Sequence, residues 1–503
     1  MAATDDSNRA YATLPEEASR CYYLLAVMYN DDINLKQGPT RIGFALRRAW
    51  IVLLSCVSMA VATPGQTTFT VLASFDGTDG AYPYLGTLVQ GTDGNFYGTT
   101  SGGGASNAGT VFKITPGGTL TTLHSFDSTD GASPDAGLFL AANAIFYGTT
   151  ASGGAGGSGT VFKITTSGAL TVLHSFDKTD GSSPAGRLVQ SPNTNFYGTT
   201  YAGGANGVGT VFSLSPKGTL TTLHSFASTD GANPYAGLVQ AANGTFYGTT
   251  SSGGAHGYGT VFKITAGGTL TTLHSFKGTD GAFPTAALVQ ASDGTFYGTT
   301  TNGGANGGQG GTVFTIAPSG TFTTLYSFRS PAGGSPSGLV QATDGNFYGT
   351  TFLGGNGGKG SVFSITPGGV LTTLHAFEGE QEGFEPYDAP LQATDGTFYG
   401  TTYNGPSYSP SLGYGTVFSL SVGLGAFVTT VPTSGKVGAT VRILGTNLTG
   451  TVSVTFNGTP ATITSTSASE ITAIVPAGAT TGKVVVTTPG GTLISNAAFL
   501  VLP

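Results

Sequence analysis

The sequence is poor in residues that carry thiol, redox or metal chemistry. Its 503 residues include two cysteines, Cys21 and Cys56, and one tryptophan, Trp50. All three precede residue 63, so a chain processed after that segment has no disulfide, no thiol nucleophile and no cysteine metal site. The remaining fold must therefore be held together by a large sheet core rather than by covalent cross-links.

Charge is also scarce. Only 9% of the residues are charged, and 18 Lys and Arg stand against 25 Asp and Glu, a formal net charge of −7. This balance argues against a nucleic-acid partner, which a basic surface would attract. A surface dominated by Thr, Ser, Asn and Gly is typical of an extracellular module.

Residues 1–62 are predicted to be a leader and signal peptide. Arg47 and Arg48 precede an apolar run that ends in the small-x-small sequence Ala60-Val61-Ala62. A basic flank, an apolar core and such a site are the signature of export, and the run is short for a membrane span. We expect an extracellular or cell-surface protein, exported by a signal peptide ending near Ala62. Lipidation of Cys56 is the alternative reading.

The repeats show no pattern typical of helices, and they recur in tandem along the chain. Each copy contains four short runs rich in Val, Thr, Phe and Tyr, here named a, b, c and d, separated by Gly, Asn and Asp turns. Fixed periodicity of this length indicates a solenoid or a propeller. The phrase Phe-Tyr-Gly-Thr-Thr recurs at intervals of 50 and then 51 residues, beginning at Phe96, Phe146, Phe196, Phe246, Phe296, Phe347 and Phe398.

The order of the runs predicts how the array closes. A d-type run at residues 69–75 precedes every a run, and the last c run, residues 415–420, has no d run after it. Pairing the two would complete a seventh blade and remove an exposed sheet edge. The prediction is an all-β chain: a seven-bladed β-propeller of four-stranded blades over residues 69–421, its ring closed by the N-terminal strand, followed by an immunoglobulin-like β-sandwich over residues 426–503.

Two family resemblances support this division. Gly445-Thr446-Asn447-Leu448, Phe456-Asn457-Gly458 and Val475-Pro476 resemble the IPT/TIG family of immunoglobulin-like domains. That resemblance implies an accessory or binding domain of bacterial surface proteins, usually without catalysis. The repeated phrases Phe-Tyr-Gly-Thr-Thr, Gly-Thr-Val-Phe-Lys-Ile and Leu-Thr-Thr-Leu-His-Ser-Phe resemble the Gloeo/Verruco (GloVer) tandem repeat, which implies an exported bacterial protein and supplies no functional residues.

The repeated histidines and aspartates could suggest a metal site, but the distance between neighbouring blades argues against one. Five histidines recur in strand d, but neighbouring blades are too far apart for them to share one ion, so we expect them to pack between blades. The aspartate of each Thr-Asp-Gly loop is expected to cap its own turn. The alternative is Ca²⁺ binding, although each loop offers one carboxylate. We therefore expect no metal, no cofactor and no catalytic residue. The histidines are His124, His174, His224, His274 and His375.

The repeat breaks down in its last copy, and the candidate site lies there. The loop between d and a is rich in carboxylates, and the following b–c loop is long and carries tyrosines. Both loops emerge on the same face of a blade, where aromatic plates and acceptors suit sugar rings. The candidate ligand-binding residues are Glu380, Glu382, Glu385, Asp388, Tyr403, Tyr408 and Tyr414.

Several functions remain open for these loops. The principal prediction is a monomeric, non-catalytic binding or adhesion protein that takes an extracellular glycan or a surface protein. A polysaccharide hydrolase or lyase acting through the carboxylates is the enzymatic alternative. The remaining alternatives are a purely structural surface protein, a solvated loop, or a loop that seats the C-terminal domain.

Overall fold

The computed structural model describes residues 67–305, 310–329, 333–355, 357–379, 381–406 and 413–503. The chain divides into two compact units, Met1–Pro64 and Gly65–Pro503, and every described residue belongs to the second. The signal-peptide and Cys56 hypotheses concern residues outside this range. Within it, no helix is long and apolar enough to cross a membrane.

Six of the blades are built from four consecutive strands each. The first strand of the described residues is β1 (Thr68–Ser74), which is set apart from these blades. Each blade then pairs its strands in chain order, from the short a strand at the axis to the d strand at the rim. The strands are β2 (Val89–Gln90), β3 (Phe96–Thr100), β4 (Thr110–Ile114), β5 (Leu120–Ser125); β6 (Phe139–Leu140), β7 (Phe146–Thr150), β8 (Thr160–Ile164), β9 (Leu170–Ser175); β10 (Val189–Gln190), β11 (Phe196–Thr200), β12 (Thr210–Leu214), β13 (Leu220–Ser225); β14 (Val239–Gln240), β15 (Phe246–Thr250), β16 (Thr260–Ile264), β17 (Leu270–Ser275); β18 (Val289–Gln290), β19 (Phe296–Thr300), β20 (Thr312–Ile316), β21 (Phe322–Ser327); and β22 (Gly334–Gln341), β23 (Phe347–Leu353), β24 (Ser361–Ile365), β25 (Leu371–Ala376).

The seventh blade combines the two ends of the propeller. Its inner strands are β26 (Leu391–Gln392), β27 (Phe398–Thr402) and β28 (Thr416–Ser421), and β1 supplies the outer strand. β1 runs antiparallel to β28, with Phe69 opposite Leu420 and Ser74 opposite Thr416. The predicted closure by the N-terminal strand is therefore present in the structure, and the all-β propeller is confirmed.

Aromatic pairs join each blade to the next around the whole ring. The Tyr of one Phe-Tyr-Gly-Thr-Thr strand packs on the Phe of the next. Tyr97 lies 4.3 Å from Phe146 between ring centroids, and Tyr399 lies 4.1 Å from Phe96 across the closure. The glycine of the same phrase is needed for packing, because a Cβ on Gly98 would lie 2.6 Å from the ring of Phe112. These contacts join the seven four-stranded sheets of the propeller into a closed ring.

The C-terminal segment folds as two packed sheets, as predicted. One sheet has the order β29-β31-β35-β34 and the other the order β30-β37-β36-β32-β33. Alternating apolar residues of both sheets form one core that includes Val441, Phe456 and Phe499. The strands are β29 (Thr429–Val431), β30 (Ser434–Lys436), β31 (Thr440–Leu444), β32 (Ser453–Phe456), β33 (Thr459–Pro460), β34 (Thr462–Thr466), β35 (Glu470–Ile474), β36 (Gly482–Thr488) and β37 (Gly491–Leu502).

The sandwich packs against the face of the propeller that carries the a–b turns, here called the lower face. Arg442 Nε donates to the carbonyl of Ala142 at 2.8 Å, and Ser469 Oγ donates to the carbonyl of Thr92 at 2.8 Å. The d–a and b–c loops form the opposite, upper face. The interpretation of the acidic loop as a seat for the C-terminal domain is therefore wrong, because that loop lies on the upper face and every described hydrogen bond between the domains uses an a–b turn.

Candidate functional site

The segments that lead into the a strands meet at the propeller axis on the upper face. Blades converge there, and Leu85 N–H donates to the carbonyl of Asp135 in the next blade at 3.0 Å. In every copy a proline begins this segment, and the residue after it differs from blade to blade while its surroundings repeat. The variable residues are Tyr84, Asp135, Ala185, Tyr235, Thr285, Ser337 and Tyr387.

Aromatic side chains form a continuous belt across the mouth of the central channel. Tyr84 of the first blade lies 4.6 Å from Tyr387 of the seventh and 6.5 Å from Tyr235 of the fourth, between ring centroids. Because the first and fourth blades are separated by two others, the belt crosses the axis instead of following the rim. We define the tyrosine belt as Tyr82, Tyr84, Tyr201, Tyr235, Phe352, Tyr387, Tyr403 and Tyr414, which are linked by ring contacts of 4.4–6.5 Å.

Two carboxyl groups lie at the axis beside the belt. Burial raises the pKa of Asp135 from 3.8 to about 7. Burial also raises the pKa of Asp388 to about 6, although hydrogen bonds from Thr87 and the charge of Arg187 oppose the shift. Asp388 accepts the Thr87 N–H at 2.7 Å and is also hydrogen-bonded to the Thr87 hydroxyl. Burial favours the neutral form of a carboxyl group, so near neutral pH Asp135 is about half protonated, whereas Asp388 remains largely ionised.

The structure brings together four of the predicted site residues. Tyr403 and Tyr414 belong to the tyrosine belt, Asp388 lies at the axis, and Glu385 accepts a hydrogen bond from Asn404 Nδ2 at 2.6 Å. Burial raises the pKa of Glu385 as well. The predicted convergence of the acidic loop and the long b–c loop is therefore seen for these residues. Glu380 and Tyr408 lie outside the described residues.

Glu382, also predicted for the site, is engaged elsewhere. Its Oε2 lies 3.1 Å from His375 Nε2 and accepts the N–H of Glu378 at 3.3 Å. This is the sixth-blade form of an arrangement found in four other blades, in which the strand-d histidine holds the carboxylate of the next d–a loop. The Nε2 to carboxylate distances are 2.7, 2.7, 2.9 and 3.0 Å for His124–Asp130, His174–Asp180, His224–Asp230 and His274–Asp280.

These pairs explain the repeated histidines and aspartates structurally. Asp180 Oδ1 accepts the N–H of Asp177 at 3.1 Å, which is the turn cap that the sequence predicts. The histidine partner of each carboxylate was missed, although the repeat itself signals it. Tyr326 replaces the histidine in the one blade whose next loop, residues 329–334, has no carboxylate. In the described ranges no three His, Cys, Asp or Glu side chains are grouped to hold a metal.

Most of the residues at the axis were not predicted from the sequence. Tyr84, Asp135, Arg187 and Tyr235 come from different blades, and Tyr387 was seen in the acidic loop without being selected. The signal that could have found them is the variable position after the repeated proline. When the copies of a repeat are otherwise similar, the residues at a variable position make one side of the ring chemically different from another.

Comparison with family models defines the two domains. The model of the Gloeobacter/Verrucomicrobia repeat matches residues 60–243 and 231–418. The chain belongs to the Gloeobacter/Verrucomicrobia repeat family. In this repeat protein the IPT/TIG domain model matches residues 427–500. No curated protein matches the sequence.

Solved structures similar to this repeat protein include two extracellular domains of hybrid two-component systems from B. thetaiotaomicron. One is 9% identical with a TM-score of 0.47, covering 76% of this chain and 46% of its own. The other is 12% identical with a TM-score of 0.46, covering 81% and 50%. The chain thus spans about half the length of either. The periplasmic gluconolactonase of Pseudomonas aeruginosa is 16% identical with a TM-score of 0.43, covering 68% of this chain and 96% of its own.

Proposed function

We propose that this repeat protein is an exported, non-catalytic binding protein that takes carbohydrate on the upper face of its propeller. The observation that supports the proposal is the tyrosine belt across the channel mouth. Half-buried tyrosine rings present flat apolar faces with a polar tip, the combination that stacks on sugar rings and hydrogen-bonds to their hydroxyls. The sandwich contacts the lower face, opposite the belt.

The charges around the belt favour neutral sugars over acidic ones. Asp135, Glu385 and Asp388 supply carboxyl groups, and Arg187 lies near Asp388. A uronate or sulfated sugar would meet like charge, which is repulsive at close range. A carboxyl group with a pKa near 7 both donates and accepts hydrogen bonds, as sugar hydroxyls require.

The site and the predicted export are consistent with each other. A signal peptide ending near Ala62 would deliver a chain without cysteine to the outside of the cell, where glycans are abundant. We propose that the exported chain acts as a monomer, because each propeller carries a complete belt of its own.

The test is a glycan array, followed by titration calorimetry with the best soluble oligosaccharide. Tyr84→Ala and Tyr403→Ala are expected to weaken binding at least about tenfold each, since each removes a stacking surface at the centre of the belt. Tyr258→Ala is the matched control. Tyr258 is a 41% exposed tyrosine of another b–c loop on the same face, and it lies outside the belt. Wild-type affinity in folded Tyr84→Ala and Tyr403→Ala variants would refute the proposal.

A polysaccharide hydrolase or lyase is the second candidate, because the pKa of Asp135 near 7 suits a general acid. Release of reducing ends or unsaturated products from the bound glycan would favour this candidate. That turnover would be lost in Asp135→Asn while binding persisted. Binding without turnover would favour the non-catalytic protein.

A further inference from the structure

A second cavity lies between the lower mouth of the channel and the sandwich. Its volume is about 930 Å³, within the range of small-molecule sites. The propeller contributes Phe139, Arg187 and Val189, and the sandwich and the segment before it contribute Phe427, Thr433 and Lys436. None of the lining residues belongs to the tyrosine belt, although Arg187 also lies near Asp388 at the axis.

The charged side chains that line this cavity have one sign. Arg187 and Lys436 are both cations, and no Asp or Glu is among the described lining residues, although the chain as a whole carries −7. The neighbouring glutamines are already used between blades. Gln90 Nε2 donates to Thr394 Oγ1 at 3.1 Å, and Gln392 Nε2 donates to Thr343 Oγ1 at 3.1 Å. The remaining walls are largely apolar.

The guanidinium of Arg187 lacks an acceptor. Its Cζ lies 5.9 Å from the centroid of Phe139, and Asp388 attracts it only at a distance. Among the described residues, none forms a hydrogen bond or ion pair with it. A guanidinium remains charged in proteins and offers five donors in a fork that fits a carboxylate. Arg187 is an exposed residue, so an anion in the cavity would replace water at its guanidinium and gain charge-assisted hydrogen bonds from it.

We propose that the interdomain cavity binds an organic carboxylate with an apolar body. The carboxylate is held by Arg187, with Lys436 at the rim, and the body contacts Phe139, Val189 and Phe427. The apolar part of the walls favours this ligand over a sugar acid, whose hydroxyls would be desolvated against it. The site needs both domains, so the ligand would also join the sandwich to the propeller.

The test is titration calorimetry of the full exported chain with 2-naphthoate, using 2-naphthamide as the uncharged analogue and D-glucuronate as the hydrophilic carboxylate. We expect saturable binding of 2-naphthoate and at least about tenfold weaker binding of the other two. Arg187→Met should weaken 2-naphthoate binding at least tenfold. Thr433→Trp, which fills the cavity from an exposed position, should do the same without touching the axis. Lys277→Met removes an exposed cation on the upper face and should leave the affinity unchanged.

Each outcome decides the proposal. Equal binding of 2-naphthamide, or preference for D-glucuronate, would overturn the assignment to an apolar carboxylate. Unchanged affinity in Thr433→Trp would overturn the location, and this variant serves if Arg187→Met does not fold. Absence of 2-naphthoate binding to the wild type would overturn the proposal entirely, while carbohydrate binding at the belt could still stand.

Discussion

Ring closure can be tested with a pair of phenylalanines that make almost the same contacts in two different blades. Phe69, in the closing strand β1, stacks on His375 with centroids 3.8 Å apart and lies 5.3 Å from Phe418. Phe322, in β21, stacks on His274 at 3.8 Å and lies 5.3 Å from Phe314. The two side chains therefore differ chiefly in how their strands are attached.

The expected magnitude follows from their shared environment. Replacing a fully buried Phe by Ala costs about 3–5 kcal/mol. Phe69 and Phe322 are both half-buried, so we expect Phe69→Ala and Phe322→Ala each to lower the free energy of unfolding by about 2–3 kcal/mol. Because the contacts match, the two losses should agree within about 0.5 kcal/mol.

The difference in how the two strands are connected should change how easily each strand opens locally. β21 is tied to β20 by a short turn, whereas β1 and β28 come from opposite ends of the propeller. Amide hydrogen exchange should therefore show a larger loss of protection in β28 for Phe69→Ala than in β20 for Phe322→Ala. Urea unfolding gives the global loss for both variants. A cost near zero for Phe69→Ala beside about 2–3 kcal/mol for Phe322→Ala would show that β1 is not seated on β28 in solution.

Four further variants test particular groups. Thr149→Val should stabilise the protein by about 1 kcal/mol, because the buried Thr149 hydroxyl has no partner among the described residues. Thr199→Val should destabilise the protein by a similar amount, because it removes the 2.8 Å hydrogen bond from the Thr199 hydroxyl to the carbonyl of Ala236. Changes of the same sign in the free energy of urea unfolding would contradict this. Burial raises the pKa of Asp135 to about 7, so its stabilising contribution is full below the ordinary 3.8 and is lost as pH rises through about 7. Asp135→Asn should then stabilise by about 4 kcal/mol at pH 8 and little at pH 4, and a pH-independent difference in thermal unfolding would refute the burial argument. His174→Tyr should change the free energy of unfolding by less than about 1 kcal/mol, since it breaks one partly exposed pair with Asp180, and a loss of several kcal/mol would show a larger role.

The architecture was predictable because the local sequence of each repeat indicates where its strands and turns lie. Phe-Tyr-Gly-Thr-Thr reads as a buried strand, and the structure buries all five residues at Phe96–Thr100. The seventh blade lacks a fourth strand after β28, and a count of the strands assigns that place to the unpaired first strand. Strand pairing of this kind depends on pattern and turn chemistry, which a sequence shows directly.

The candidate site was only partly predictable. The acidic loop drew attention because it departs from the repeat, and Glu385, Asp388, Tyr403 and Tyr414 do gather near one another. Glu382 did not join them, because His375 holds it as an aspartate is held in other blades. No local pattern in the sequence distinguishes a carboxylate that faces a histidine from one that faces the axis.

The sequence by itself determined the unit of repetition, the strand order within a blade and the means of closing the ring, because these follow from short-range periodicity and one missing strand. Only the tertiary structure decided which side chains meet at the axis and where the sandwich docks. Tyr84 and Tyr235 are about 150 residues apart along the chain and lie at 6.5 Å because blades converge on a common centre. The sandwich sits on the lower face because Leu444 and Val431 find an apolar patch of the propeller there.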